Sequence, residues 1–232
     1  MDVETLKLNL ASVRTRMSIA ASKSGRPVND VTLVAVTKSV DTATTQALID
    51  LGLKDIAENR QQAAAEKLPQ LTGLGDVTKH YIGPLQRNKV KRVLELFDVI
   101  HSVDSVKLAR EISNRAAELR RTAGILVQVN MALEPQKGGF EPGDVRESLK
   151  EILSLPRLHV WGLMCMAPYN ENPETARPHF KRLAALSHEL IEERIMPPGA
   201  NRLSMGMSGD FEVAIEEGAT HIRVGSALFE GL

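Results

Sequence analysis

Short apolar runs rich in β-branched residues alternate along the chain with longer segments whose apolar positions recur every three or four residues. The first of these longer segments spans residues 3–24. It places Leu6, Leu10 and Val13 on one face of a helix. Residues 31–36 (VTLVAV) follow as a continuous apolar run, which is typical of a strand that a parallel sheet buries on both faces. The pattern predicts an amphipathic helix followed by a core strand.

The same alternation continues to the end of the chain. Further strands are predicted at residues 55–57, 80–82, 99–101, 124–129, 158–163, 202–204 and 221–224. Helices are predicted between the strands at residues 42–51, 60–68, 85–96, 105–120, 144–153, 174–193 and 210–217. Strict alternation requires a parallel sheet, and right-handed crossovers close eight such units into a barrel. The predicted fold is α/β, a single (β/α)8 TIM barrel with an extra N-terminal helix.

A doubly wound open sheet is the rival architecture. It would normally carry a glycine-rich dinucleotide-binding turn after the first strand, whereas residues 37–40 read TKSV. No linker, low-complexity tract or charge block marks a second domain. We therefore predict one barrel domain over residues 1–232, in which residues 1–28 form a helix packed on the barrel.

The composition of the 232-residue chain narrows the function classes. Hydrophobic residues make up 43% and charged residues 25%, which is an ordinary globular balance. Lys and Arg together number 29, as do Asp and Glu, so no net basic field would attract nucleic acid or an anionic membrane. The single cysteine, Cys165, cannot form an internal disulfide, and the N-terminus lacks the apolar core of a secretory signal. Since no apolar run reaches the ~20 residues of a bilayer span, we expect a cytoplasmic protein with no nucleic-acid or membrane partner.

Reactive groups in a barrel of this type gather where the strands end. The residues at these positions are Lys38, Asn59, His80, His101, Asn130, 164–166, Ser204 and 223–225. Lys38 stands out because it closely follows a buried strand, and burial would favour the neutral, nucleophilic form of its amine. The alternative is a surface lysine on a loop, and Lys38 by itself does not decide between the two.

Two loops at the same end of the barrel are rich in small and hydroxyl-bearing residues. Residues 204–210 (SMGMSGD) follow strand seven. Residues 223–229 (RVGSALF) put Gly225 and Ser226 where strand eight turns into a short helix. Such loops form the recurrent phosphate site of these barrels, because backbone N–H groups and the helix dipole point at the anion. The alternative is that the glycines serve only as turn residues and that the hydroxyls cap helices.

The two loops and Lys38 lie on neighbouring strands, because strands one, seven and eight are adjacent in a closed barrel. An amine would therefore stand on one side of the barrel mouth and a phosphate cradle beside it. This arrangement suits a phosphorylated aldehyde that is held at both ends.

Longer motifs add a family resemblance. They are residues 33–38 (LVAVTK), 58–59 (EN), 80–89 (HYIGPLQRNK), 101–104 (HSVD), 137–140 (KGGF), 162–166 (GLMCM), 204–210 (SMGMSGD) and 223–231 (RVGSALFEG). With these motifs the chain resembles the pyridoxal phosphate homeostasis protein family and is similar in fold to the N-terminal barrel of alanine racemase. The resemblance runs from residue 33 nearly to the C-terminus. One departure is residues 57–60 (AENR), where the family often has GENY, which puts the detailed role of that loop in doubt.

The resemblance implies that pyridoxal 5′-phosphate (PLP) is the cofactor and that Lys38 holds it as a Schiff base. The other implied PLP contacts are Ser204, Gly225 and Ser226 at the phosphate, Arg223 at the pyridine nitrogen, and Asn59, His80 and Met164 around the ring. An arginine at the ring nitrogen only donates, so it keeps that nitrogen unprotonated. This weakens the electron sink on which most PLP enzymes depend.

We therefore expect a non-catalytic protein that buffers PLP and delivers it to apo-enzymes, and that is a monomer. The main alternative is a racemase-like amino-acid enzyme. The racemases it resembles use a catalytic tyrosine from a second, β-rich domain, which we do not expect here. A further alternative is a Schiff-base aldolase, which would need a carboxylate or tyrosine beside Lys38, and none is evident at the strand ends.

Other residues have no decided role. Arg87 and Lys89 could guide phosphorylated ligands or form a solvated helix face. Lys137 is either a second acceptor of the cofactor or loop charge. Cys165 and Trp161 are interpreted as core residues. The histidines lack metal-ligand spacing, so no metal site is predicted.

Overall fold

The computed structural model describes residues 2–134 and 138–232. Its first element is helix α1 (Val3–Lys23), whose N-terminus is capped by the Asp2 side chain. The apolar face of α1 is buried against the barrel, as its spacing predicts. Arg16 on this helix donates to Glu212 at 2.6 Å. None of the described helices combines the length and hydropathy that a bilayer span needs.

The eight strands form a closed parallel barrel in chain order, and the first strand pairs with the last. The strands are β1 (Thr32–Val36), β2 (Asp55–Glu58), β3 (Thr78–Tyr81), β4 (Val99–Val103), β5 (Ala123–Gln128), β6 (Leu158–Met164), β7 (Arg202–Ser204) and β8 (His221–Val224). The intervening helices are α2 (Thr42–Asp50), α3 (Gln61–Lys67), α4 (Val90–Leu96), α5 (Val106–Glu118), α6 (Val145–Ser154), α7 (Arg177–Glu192) and α8 (Phe211–Glu216). The predicted (β/α)8 barrel is confirmed.

Two helix starts differ from their predicted positions. Helix α4 begins at Val90, because the preceding Arg87–Lys89 forms a 3₁₀ turn with no side-chain cap. Helix α7 begins at Arg177 after a 3₁₀ turn that the Asn172 side chain caps. In both cases the helical spacing of apolar residues continues through the preceding 3₁₀ turn. Periodicity alone therefore predicts too early a first residue for the α-helix.

Alternate residues of each strand face either the helices or the barrel interior. In β1, Leu33 and Ala35 belong to the outer core beneath the helices. Val34 and Val36 instead pack with Ala57 inside the barrel. A second interior apolar cluster consists of Val99, Leu126 and Met164. The barrel interior also holds the buried polar side chains His80, His101, Ser204 and Arg223.

A bulge in β6 determines which of its residues enter the barrel. Ile125 pairs with Val160, but the next residue, Leu126, pairs with Gly162, so Trp161 is the extra residue. Gly162 has φ of 149°, and a Cβ there would lie 2.0 Å from the carbonyl oxygen of Arg202. Only glycine fits this position, because both its backbone conformation and its contact with β7 exclude a side chain.

We predict that Gly162→Ala destabilises the protein by about 3 kcal/mol or more, because the new Cβ would push β6 away from β7. Gly143→Ala is the matched control, since Gly143 is exposed and a Cβ there meets nothing within 4 Å. The control change should stay within about 0.5 kcal/mol of the unchanged protein. Urea unfolding followed by circular dichroism measures both; equal stability of the two variants would contradict the bulge assignment.

Candidate functional site

A cavity of about 530 Å³ opens at the carboxyl ends of the strands. It is lined by loops that follow several different strands, as is usual for the functional face of such barrels. Its lining includes Val36, Lys38, Ser39, Asn59, Ile82, Gly83, Met164, Met166, Tyr169, Ser208, Asp210, Arg223, Gly225 and Ser226. We call it the mouth cavity.

Lys38 lies in the loop after β1, on the wall of the mouth cavity. Its side chain is exposed, and it forms no hydrogen bond or ion pair with the described residues. Of the two alternatives that the sequence leaves open, the structure shows the exposed lysine, which follows the fully buried Thr37. The amine is therefore accessible to a ligand that enters the cavity.

A buried ion pair fixes the backbone next to Lys38. Lys67 Nζ lies 2.7 Å from Glu58 Oε1, and the two side chains are only 10% and 2% exposed. The same Nζ donates to the carbonyl oxygen of Thr37 at 2.7 Å, and the Thr37 hydroxyl donates to Glu58 Oε1 at 2.8 Å. These contacts join the ends of β1 and β2 to helix α3. The loop that carries Lys38 thus starts from a fixed point.

The loops after β2 and β3 meet at close range beside Lys38. A Cβ on Gly83 would lie 2.0 Å from the carbonyl oxygen of Asn59, so these backbones touch. The Ser102 hydroxyl donates to the carbonyl oxygen of Gly83 at 2.6 Å and fixes the second loop. Asn59 and Gly83 both line the mouth cavity.

The loops after β7 and β8 bring hydrogen-bond donors to one point. The N–H groups of Gly225 and Ala227 donate to Ser208 Oγ at 3.1 and 3.3 Å. A Cβ on Gly225 would come within 3.3 Å of the Val36 carbonyl oxygen. Convergent backbone N–H groups at a turn form an anion-binding concavity. This part of the cavity can hold a phosphate, with the Ser208 hydroxyl as a further donor.

Arg223 places a cation in the floor of the cavity. It is 4% exposed, and its guanidinium donates to Ser204 Oγ at 2.5 Å and to the Cys165 carbonyl oxygen at 3.0 Å. Burial lowers the pKa of Arg223, although an arginine stays charged at neutral pH. Arg223 forms no ion pair among the described residues, but the charge of Asp210 acts to raise its pKa. Its remaining donor capacity is available to an acceptor in the cavity.

The structure gathers most of the residues that the sequence singled out. Lys38, Asn59, Met164, Arg223, Gly225 and Ser226 all line the mouth cavity. His80 and Ser204 do not, because both are fully buried below it and bond to other side chains. We therefore revise their expected roles: neither is placed to touch a ligand in the cavity.

Sequence reasoning missed several lining residues. Ser208 and Asp210 line the cavity and belong to the loop after β7, for which the sequence predicts phosphate binding without indicating either residue as a contact. Burial raises the pKa of Asp210. Tyr169 is 89% exposed in the loop after β6, which no motif marks. Tyr169 and Asp210 are not strand-end residues, but they bring a tyrosine and a carboxylate to the same cavity as Lys38.

The remaining candidates lie elsewhere. Arg87 lines a separate groove beside Asp104, and Lys89 lines neither this groove nor the mouth cavity. Cys165 is fully buried, and this burial raises the pKa of its thiol to about 12, as befits a core residue. No group of three metal-ligating side chains occurs in the part of the chain that the structure describes. Lys137 lies outside the described residues.

Comparison with known proteins agrees with the barrel fold that the structure shows. The chain matches the family of alanine racemase N-terminal domains over residues 8–232. It is 42% identical to the pyridoxal phosphate homeostasis protein of Aquifex aeolicus over 95% of each chain. It is 35% identical to the Escherichia coli protein of the same name, which covers 95% of this chain and 94% of the relative.

A solved structure is similar over nearly the same length. PipY of Synechococcus elongatus, with PLP bound, superposes with a TM-score of 0.80 at 36% identity. The match covers 94% of this chain and 99% of PipY. The barrel and its mouth therefore have a close structural counterpart of the same size.

We predict that Lys67→Met lowers the free energy of unfolding by about 3 kcal/mol, because it leaves the Glu58 carboxylate buried without its cation. Lys79→Met is the matched control: Lys79 also lies 2.7 Å from a carboxylate, that of Asp98, but this pair is partly exposed. The control should lose less than about 1 kcal/mol. Urea unfolding at constant m-value measures the difference, and equal losses would show that the buried pair does not fix the loop.

Proposed function

Because this chain belongs to the pyridoxal phosphate homeostasis protein family, which is built on the alanine racemase N-terminal domain, we propose that it binds PLP in the mouth cavity and takes part in PLP homeostasis. One observation carries the proposal. An exposed lysine amine that has no hydrogen-bond partner among the described residues, the loop with the Gly225 N–H group and a buried arginine line the same cavity. These groups match the aldehyde, the phosphate and the ring nitrogen of PLP.

The aldehyde end would bind at Lys38. PLP supplies an aldehyde, and its condensation with a primary amine forms a C=N bond and releases one water molecule. The exposure of Lys38 lets the aldehyde reach the amine without any rearrangement of the core. The same exposure lets water return and hydrolyse the bond. Reversible attachment suits a protein that stores PLP and releases it.

The phosphate end would bind between the loops after β7 and β8. Its oxygens would take over the N–H groups of Gly225 and Ala227, which at present donate to Ser208 Oγ. The Ser208 hydroxyl would then donate to the phosphate in turn, beside Ser226. We assign this role to Ser208 in place of Ser204, whose hydroxyl is already engaged by Arg223.

Arg223 would face the ring nitrogen and favour storage over catalysis. Its guanidinium has donors and no acceptor, so the nitrogen that receives its hydrogen bond stays unprotonated. An unprotonated ring withdraws electrons weakly from a bound amino acid. The absence of strong electron withdrawal makes proton removal from an amino acid slow, and this supports a carrier without substantial catalysis.

A racemase-like enzyme is the second candidate, and a Schiff-base aldolase the third. Both gain from the presence of Tyr169 and Asp210 in the cavity, since each reaction needs an acid–base partner near the lysine. Neither group is held for that task, because Tyr169 is 89% exposed and Asp210 accepts from the Met207 N–H at 2.6 Å. Racemisation or aldol cleavage at about 10 per second, an ordinary enzyme rate, would favour these candidates over the carrier.

We predict that Lys38→Ala abolishes the visible absorbance that PLP gives when it is attached to the protein, while the melting temperature stays unchanged. Lys38→Arg is the matched variant, because it keeps the charge and cannot form the C=N bond. Both variants should lose covalent attachment, measured by borohydride reduction and mass spectrometry. Attachment that persists in both would assign the bond to another lysine and contradict the proposal.

The delivery function has a separate test. Protein loaded with PLP and an equal concentration of free PLP are each mixed with a PLP-dependent apo-enzyme, and the recovery of enzyme activity is followed. We expect the loaded protein to activate the apo-enzyme at least as fast as free PLP, even when a scavenger of free PLP is present. Recovery that stops in the presence of the scavenger would contradict direct delivery.

A further inference from the structure

A continuous chain of hydrogen bonds runs through the barrel interior. Asp55 Oδ1 lies 2.9 Å from His80 Nε2, and His80 Nδ1 lies 2.8 Å from His101 Nε2. His101 Nδ1 lies 2.8 Å from Ser204 Oγ, which accepts from Arg223 Nη1 at 2.5 Å. We call these five residues the interior chain.

The interior chain connects the two ends of the barrel. Asp55 begins β2, is 22% exposed, and lines a second cavity of about 580 Å³ that also contains Asp30 and Trp161. Arg223 lines the mouth cavity at the opposite end. The members between them, namely His80, His101 and Ser204, are fully buried. A polar side chain at one face of the barrel thus connects to the cation at the other.

The chemistry of the two ends sets the direction of every hydrogen bond. A guanidinium only donates and a carboxylate only accepts. Ser204 Oγ accepts a hydrogen bond from Arg223, and among the described residues its one other hydrogen-bond partner is His101 Nδ1, so the Ser204 hydroxyl donates its own hydrogen to that nitrogen. With both rings neutral, His101 Nε2–H donates to His80 Nδ1, and His80 Nε2–H donates to Asp55. Each donor then has one acceptor, as buried polar groups require.

The electrostatic surroundings agree with this direction. Burial, and next the neighbouring His80, hold the pKa of His101 well below its usual range, so the ring is neutral. Burial also lowers the pKa of His221, whose ring lies 6.3 Å from that of His80, to about 3. A charge on His101 would reverse its bond to Ser204 and leave the Ser204 hydroxyl hydrogen without an acceptor.

We propose that the interior chain positions Arg223: Asp55 orients the guanidinium through His80, His101 and Ser204, so that its free donors point at the PLP ring. This inference rests on the proposed function. Asp55 and the two histidines are positioning residues, because they act on the ligand only through Arg223. Each buried donor of the interior chain needs an acceptor. The last acceptor is the Asp55 carboxylate, which borders a cavity open to water, so the interior chain ends there.

The direction of the chain is tested first in the protein without PLP. Nitrogen-15 NMR of the histidine rings should find both His80 and His101 protonated on Nε2 and not on Nδ1. In Asp55→Ala the His80 ring loses its acceptor and should give a mixture of the two tautomers. Asp30→Ala is the matched control, since Asp30 is exposed in the same cavity and its side chain forms no hydrogen bond or ion pair with the residues that the structure describes. A proton on His101 Nδ1 in the unchanged protein would overturn the inference.

The effect on PLP is tested next, by equilibrium titration and by the absorbance spectrum of the bound form. Asp55→Ala should shift the absorbance maximum and weaken PLP binding about fivefold or more, which is typical of coupling between two sites. Asp55→Asn keeps an acceptor for His80 and should retain most of the affinity, and Asp30→Ala should match the unchanged protein. Ser204→Ala cuts the chain next to Arg223 and should give the same spectral shift, so the test does not depend on one variant folding.

The outcomes separate this inference from the proposed function. If PLP binds but Asp55→Ala and Ser204→Ala leave the spectrum and affinity unchanged, the positioning role is wrong and PLP binding stands. If the unchanged protein takes up no PLP, the proposed function is wrong, and with it the role toward the ring, whatever the histidine tautomers are.

Discussion

The site depends on a guanidinium that is buried in the floor of the mouth cavity. Arg223 forms no ion pair among the described residues, and its hydrogen-bond acceptors are neutral, namely Ser204 Oγ and the Cys165 carbonyl oxygen, while the charge of Asp210 acts to raise its pKa. A barrel interior is usually filled by layers of branched aliphatic side chains. Here two small aliphatic clusters share the barrel interior with a chain of hydrogen-bonded polar side chains that begins at Arg223.

The mouth of the barrel is arranged around that cation by contacts that leave little freedom. The buried pair of Glu58 and Lys67 fixes the point from which Lys38 extends. On the other side, Gly225 lies against the Val36 carbonyl oxygen, and its N–H donates to Ser208 Oγ. Lys38 itself remains exposed. A fixed frame that carries an accessible amine suits the reversible binding of an aldehyde.

The sequence predicts the barrel because alternation of strand and helix is encoded in every βα unit. It also predicts that Lys38, Arg223 and Gly225 share one face, since all three follow or end strands that are neighbours. It does not predict how deeply each polar side chain is buried within the barrel. His80 occupies an interior position of β3 that faces His101 and Asp55, and only the register of three strands reveals this.

Other features could not be found from one sequence for similar reasons. The bulge at Trp161 is a pairing irregularity between β5 and β6, and nothing in the spacing of β6 marks it. Tyr169 lines the cavity because of the course of the loop after β6, which the sequence pattern does not determine. Ser204 is the last residue of β7 and Ser208 lies in the loop after it, and their different contacts depend on which hydroxyl Arg223 reaches.

We propose that one cavity holds PLP between Lys38, the loops after β7 and β8, and Arg223. A crystal structure of the protein grown with PLP tests this directly. We expect electron density continuous with Lys38 Nζ, the phosphate at the N–H groups of Gly225 and Ala227, and the ring nitrogen within hydrogen-bond distance of Arg223. Density continuous with a different lysine, or a ring nitrogen turned away from Arg223, would contradict it.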